Sequence, residues 1–182
     1  MSRVAKYLLL PCVLLFLCCG GSKSITTIPS TTPDLDAERL NRYYINAVSA
    51  KVKEDYPTAK ELFNKCLKLD KNNAASHYQL ADVYKILSNY DSALSYAKNA
   101  LELEPKNKWY REINGDLYWI TRDRPKAILL YEGLLEEFPE TRAYYSRLQE
   151  FYNREKNTDK EIELVKKEIA YFGSINKRIS KL

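Results

Sequence analysis

Two patterns of apolar residues divide the chain. Near its start, residues 7–17 form an apolar run interrupted only by Pro11 and Cys12, with Arg3 and Lys6 before it. Farther on, small and apolar residues recur with a period of 34: Ala59, Ala93 and Ala127 fall in one column, Tyr84, Tyr118 and Tyr152 in a second, Ala47, Ala81 and Gly115 in a third. Polar positions keep the same step. Asp55, Asn89, Asp123 and Asn157 stay in register, and Pro105 and Pro139 follow the runs Ala-Leu-Glu-Leu-Glu and Leu-Leu-Glu-Glu-Phe. Columns in one register define repeating units at 40–73, 74–107 and 108–141, with a degenerate fourth at 142–175.

Each unit reads as two antiparallel helices. Small residues in the alanine and glycine columns let the helix axes approach toward the lower end of the roughly 8–10 Å range, and large aromatics fill the gaps between units. The Asp/Asn column is placed to cap each second helix, Pro57 and Pro125 fall at first helical positions, and Pro105 and Pro139 stop the helices before them. The fourth unit departs from the pattern, with Glu161 where alanine is expected and Gln149 where a small residue is expected.

This pattern resembles the tetratricopeptide repeat (TPR). The second unit carries it best: His77-Tyr78-Gln79-Leu80-Ala81, Tyr84, Asn89-Tyr90-Asp91-Ser92-Ala93, then Ala97, Ala100 and Pro105. The resemblance implies an all-α, right-handed α-solenoid of about four helix pairs, whose concave surface, lined by the first helix of each unit, binds a protein or peptide. Carried over by position, the groove would hold Tyr44, Val48 and Lys51; Tyr78, Asp82 and Lys85; Trp109, Glu112, Asp116 and Trp119; and Ser146, Glu150 and Arg154. Aromatics beside Asp82, Glu112 and Asp116 suit a segment with apolar anchors and basic groups. The lysine and asparagine clamp of chaperone-tail-binding members is absent. Trp109 and Trp119, like Tyr44 and Tyr78, could instead pack between repeats.

Composition narrows the alternatives. Five glycines against fifteen tyrosines fit helices better than a strand-rich fold. Of the formal charge of +5, Arg3, Lys6, Lys177, Arg178 and Lys181 lie at the two ends, so the body shows no basic face for nucleic acid. No Cys-x-x-Cys, His-Glu-x-x-His or glycine-rich phosphate loop occurs, and the single histidine, His77, stands where an aromatic packs between helices. The expectation is a chain that is not an enzyme and holds no metal or cofactor.

Residues 1–19 read as an export signal, and Leu15-Phe16-Leu17-Cys18-Cys19-Gly20-Gly21 resembles the lipobox of bacterial lipoproteins. Cys19 is the favoured acylation site, with Cys18 the alternative; an ordinary secretory signal is the competing reading. The whole then resembles a Bacteroidetes-like TPR lipoprotein, and the implied location is the cell envelope, lipid-anchored at the periplasmic face of the outer membrane. Residues 20–35, rich in Ser, Thr and Pro, read as a tether that would span up to roughly 40 Å when extended. With Cys12, Cys18 and Cys19 in the leader, Cys66 is the lone thiol of the body, expected buried. The repeat domain is placed at 36–175. Ile175, Ile179 and Leu182 keep helical spacing, so residues 176–182 read as the start of an unfinished helix. Ile162, Val165, Ile169 and Phe172 then lack a cover, which points either to a longer protein or to self-association at that end.

Overall fold

The computed structural model describes residues 32–179, with side chains described over 35–173. Eight helices and no strand occur among the described residues: α1 Thr32–Val52, α2 Tyr56–Leu69, α3 Ala74–Ile86, α4 Tyr90–Leu103, α5 Lys108–Ile120, α6 Arg124–Glu137, α7 Arg142–Arg154 and α8 Thr158–Ile179. Each helix packs on the next, which makes four pairs stacked in sequence order as an all-α solenoid. Among the first helices of the pairs, α3 and α5 also meet directly, whereas the second helices make no comparable backbone contact with one another. The stack therefore has its inner side on α1, α3, α5 and α7.

The small-residue columns do what close packing requires. Ala47, Ala59, Ala81, Ala93 and Ala127 are wholly buried. At Gly115 a Cβ would stand 2.7 Å from Cε2 and 2.9 Å from Cδ2 of Tyr131, so the ring occupies the space that only glycine leaves. Cores form at the joints: Ala47, Phe63, Leu80 and Val83 between the first two pairs, Ala81, Ala97, Ile113 and Leu117 between the next, and Tyr131, Leu134, Leu148 and Phe151 toward the last. Asn114, fully buried, donates Nδ2 to the Ala97 carbonyl at 2.8 Å and so ties the third unit to the second. Cys66 is buried, and burial pushes its thiol up. His77 is nearly buried, with Nε2 3.0 Å from the Lys71 carbonyl and its ring near Tyr96.

Every turn inside a pair has one construction. Glu54, Ser88, Arg122 and Lys156 take φ of 62°, 57°, 68° and 57°, each donating its N–H three residues back, while the following Asp or Asn donates five back, to Ala50, Tyr84, Tyr118 or Tyr152. These are Schellman turns. The same Asp or Asn then turns to the next helix: Asp55, Asn89 and Asn157 accept from the N–H of Thr58, Ser92 and Lys160 at 3.2 Å. Asp123 makes no cap bond and pairs instead with Lys126 at 2.5 Å.

The boundaries differ from the sequence reading at both ends. Helix α1 begins at Thr32, inside the stretch assigned to the tether, because Pro33 sits in the first turn, where a missing N–H is harmless. At the other end α8 runs unbroken to Ile179 instead of yielding to a new helix at 176, since no proline intervenes and the lone Gly173 is tolerated at about 1 kcal/mol. The leader 1–19, with Cys18 and Cys19, and residues 20–31 of the tether lie outside the described residues. So do the side chains of Ile175 and Ile179 and the whole of Leu182. Phe172 is not left open: its ring meets Tyr145 at 5.8 Å with the Arg142 guanidinium 3.7 Å above it. Ile162 and Ile169 remain exposed on α8. No helix among the described residues is long and apolar enough to cross a membrane.

Candidate functional site

The inner side of the stack carries a chain of polar contacts that crosses all four first helices. On α1, Lys51 Nζ donates to Gln79 Oε1 at 2.7 Å and pairs with Asp82 Oδ2 at 2.5 Å, both on α3. Gln79 in turn donates to the Tyr44 hydroxyl at 3.4 Å. Lys85, one turn after Asp82, lies 3.8 Å from it and 3.9 Å from Asp116 on α5. Asp116 accepts the Tyr131 hydroxyl at 2.8 Å and meets Arg147 of α7 at 3.4 Å. Arg147 pairs with Glu150, and Glu150 with Arg154 at 3.2 Å. Positive and negative groups thus alternate from the first unit to the fourth.

This arrangement changes the expected character of the groove. Asp82 and Asp116 were expected to attract basic groups of a partner, but each is already held by cations of the neighbouring units. Glu112 accepts the Tyr144 hydroxyl from the next first helix. Burial and these carboxylates raise the Tyr131 and Tyr144 phenols well above the ordinary tyrosine range, so both remain donors.

The sequence-derived positions separate into three groups. Tyr44, Asp82, Lys85, Glu112 and Asp116 stand together on the inner side, Tyr44 also lying edge-on to Phe63 at 5.7 Å. Tyr78 packs on Tyr110 at 5.2 Å and Trp119 stacks on Phe151 at 3.9 Å, which makes both of them joints between repeats. Trp109 is 55% exposed at the start of α5. Its ring shares an open depression with Pro105 and Phe138, and Lys108 Nζ lies 4.9 Å from the Trp109 centroid and 5.7 Å from that of Phe138. Arg147 and Gln79 were missed by the sequence reading. Each stands next in sequence to a groove position, Ser146 or Tyr78, but adjacent helical residues point about 100° apart, so that place alone carried no signal. Among the described residues no group of three His, Cys, Asp or Glu side chains is placed to hold a metal ion.

Comparison with known proteins agrees with this geometry. A tetratricopeptide repeat family model matches residues 62–95. A TPR repeat-containing protein of Methanocaldococcus jannaschii is 26% identical over 107 residues, which is 59% of this chain and 19% of that protein, so the chain spans about a fifth of the length of this curated relative. Among solved structures, MamA of Desulfovibrio magneticus superposes with a TM-score of 0.67 at 17% identity over 73% of this chain and 75% of its own. YrrB, described as a TPR protein with an unusual peptide-binding site, gives 0.65 at 24% identity over 82% and 78%. The first TPR domain of Spaghetti (RPAP3), bound to an HSP90 peptide, gives 0.61 at 17% over 64% and 93%. At these identities the likeness is one of fold: the chain is an all-α helical repeat similar to the stacks of TPR proteins.

Proposed function

We propose that this chain is a non-catalytic interaction scaffold whose inner helical side receives a segment of a partner protein, and that it works from the envelope of a bacterium in support of an assembly or secretion complex, held there by lipid on Cys19 or Cys18. The observation that carries the binding part is Trp109. A tryptophan 55% exposed beside Phe138, on a chain that buries or stacks its other large groove aromatics, is an anchor without a protein partner. Peptide binding by YrrB and by the first TPR domain of Spaghetti supports the same use of a stack of this kind. An O-GlcNAc transferase of Thermobaculum terrenum also contains a similar stack, matched over 22% of that chain, so the repeat itself is no enzyme signature.

The test is capture of partners from envelope extracts by wild type and by Trp109→Ala. A loss of roughly thirtyfold in affinity is expected for a hot-spot aromatic, with helicity unchanged by circular dichroism. Equal capture by both would end the groove reading. The anchor is checked separately: cells fed labelled palmitate should label the protein, and replacement of Cys18 and Cys19 together should abolish the label. A second reading rests on Ile162 and Ile169, exposed on α8, the last helix of the stack. There the contact surface is the last helix, and Ile169→Lys rather than Trp109→Ala would remove association.

A further inference from the structure

The third and fourth units build the same contact of a cation on a ring, but complete it differently. In the fourth, the Arg142 guanidinium lies 3.7 Å above Phe172, and Glu168 of the same helix as that ring meets it at 3.4 Å. One period of 34 earlier, Lys108 takes the place of Arg142 and Phe138 that of Phe172, with the ammonium 5.7 Å from the ring centroid. The place of Glu168 is held by Leu134, which is wholly buried. No carboxylate among the described residues forms an ion pair with Lys108, or with Lys106 two residues before it.

The third unit also adds a wall that its neighbours lack. Trp109 stands where the second unit has Ala75 and the fourth Ala143. Its ring, 55% exposed, shares one open depression with Pro105 and Phe138, and Lys108 Nζ lies near both rings, 4.9 Å from the Trp109 centroid. No group of the inner polar chain lines this depression. Glu104, the acidic group of its lining, already accepts from Asn107 Nδ2 at 2.8 Å, so two lysines face one carboxylate that has a donor. The depression lies at the N-terminus of α5, the positive end of that helix's dipole.

These features select among possible occupants. An apolar side chain gains contact with the exposed rings, while the ammonium keeps donors directed away from the rings for an anionic oxygen. A basic segment would set like charge against Lys106 and Lys108. A wholly apolar one would cover the ammonium without replacing the water it bonds.

We propose that this depression binds a partner-protein segment in which a carboxylate lies next to a large apolar side chain, the carboxylate on Lys108 and the apolar group on Trp109 and Phe138. The proposal rests on the scaffold reading above and assigns the chemistry of the segment at its Trp109 anchor. The segment then supplies to Lys108 what Glu168 supplies to Arg142.

The test is selection from a synthetic random peptide library, made with amidated and with free C-termini, on the immobilised full chain, followed by fluorescence anisotropy of the selected peptides. They are expected to pair Asp, Glu or a terminal carboxylate with Leu, Ile, Phe or Trp, and to bind less tightly as salt rises. Selection of amidated peptides assigns the anion to a side chain, and selection of free termini alone assigns it to a chain end. Lys108→Gln should weaken binding about tenfold and Lys108→Arg should retain it, while Trp109→Ala should weaken it roughly thirtyfold. Helicity should be kept in Lys108→Gln, because the side chain is partly exposed and a cation in the first turn does not stabilise a helix. Basic or uncharged peptides, with affinity insensitive to salt, would overturn the proposal. Peptides released by Trp109→Ala but indifferent to Lys108→Gln would reject the charge assignment and leave the scaffold reading standing. Peptides indifferent to both variants would reject the two together. A concentration-dependent dimer of the wild type that Trp109→Ala dissolves would give the site to a second copy and overturn the partner assignment.

Discussion

Glu54, Ser88, Arg122 and Lys156 hold a backbone conformation that L-residues with a Cβ enter at about 1–2 kcal/mol. Glycine enters it freely but loses more entropy on folding, so each of Glu54→Gly, Ser88→Gly, Arg122→Gly and Lys156→Gly should stabilise the fold by about 0.5–1 kcal/mol net. Thermal unfolding followed by circular dichroism checks this, with an expected rise of about 2–4 °C per kcal/mol; no gain from any of the four would mean that the turns are not strained. At Gly115 the sign reverses. Tyr131 Cε2 lies 2.7 Å from the place of a new Cβ, and its hydroxyl is fixed on Asp116, so Gly115→Ala should cost about 1–3 kcal/mol by overpacking, read as a lower melting temperature. The sequence announced Gly115 and the caps at Asp55, Asn89 and Asn157, since small residues and Asp/Asn carry those roles in their side chains. It did not announce the left-handed residues one place earlier, because backbone hydrogen bonds impose that conformation and no glycine marks it.

Helices were legible wherever the columns were strong, and their joints much less so. Trp119 shows why. Its position in the unit matched the groove, yet its ring lies on Phe151 of the next unit, a choice settled by the space between stacked pairs rather than by anything local. Arg147 was overlooked for the same reason, since its partner Asp116 lies 31 positions earlier and meets it only after the units stack. The fourth pair departs from the other three in structure as it does in sequence. Gln149 is exposed where Ala47, Ala81 and Gly115 are buried, Glu161 is half-buried where alanine fills the other three second helices, and α7 and α8 meet over less of their length than the other pairs. In a solenoid, stability is a sum of unit and joint terms, so the last pair should open first. Amide hydrogen exchange should show α8 exchanging at lower opening free energy than α3 to α6; uniform protection along the stack would contradict this.

At the scale of the whole stack, buried phenols set an upper limit of pH. Burial pushes Tyr110 up to about 12, and burial together with hydrogen bonds to Asp116, Glu112 and Glu132 raises Tyr131, Tyr144 and Tyr152. An unfolded tyrosine titrates near 10. Above that pH the unfolded chain releases protons that the folded chain retains, so the stability these groups contribute, fully present below about pH 10, declines as pH climbs toward the folded values. Helix loss and phenolate absorbance should therefore rise together between about pH 10 and 12. Tyrosines ionising near 10 with helicity intact would show that the phenols are not held.

The alternating ion pairs from Lys51 to Arg154 also give the stack a mechanical property. Three of them, Lys51 with Asp82, Lys85 with Asp116 and Arg147 with Asp116, join neighbouring units on the inner side, where opening the stack stretches them and closing it shortens them, so they act as a spring in parallel with the apolar joints. Its stiffness belongs to the solvent as much as to the protein, because the screening length falls from about 10 Å at 0.1 M salt to about 3 Å at 1 M. The partly exposed pairs, such as Lys85 with Asp116 at 3.9 Å and Arg147 with Asp116 at 3.4 Å, soften first while the buried cores hold. A small-angle scattering series in salt should then record an arc that relaxes with its helices unchanged, a shape tuned continuously by ionic strength.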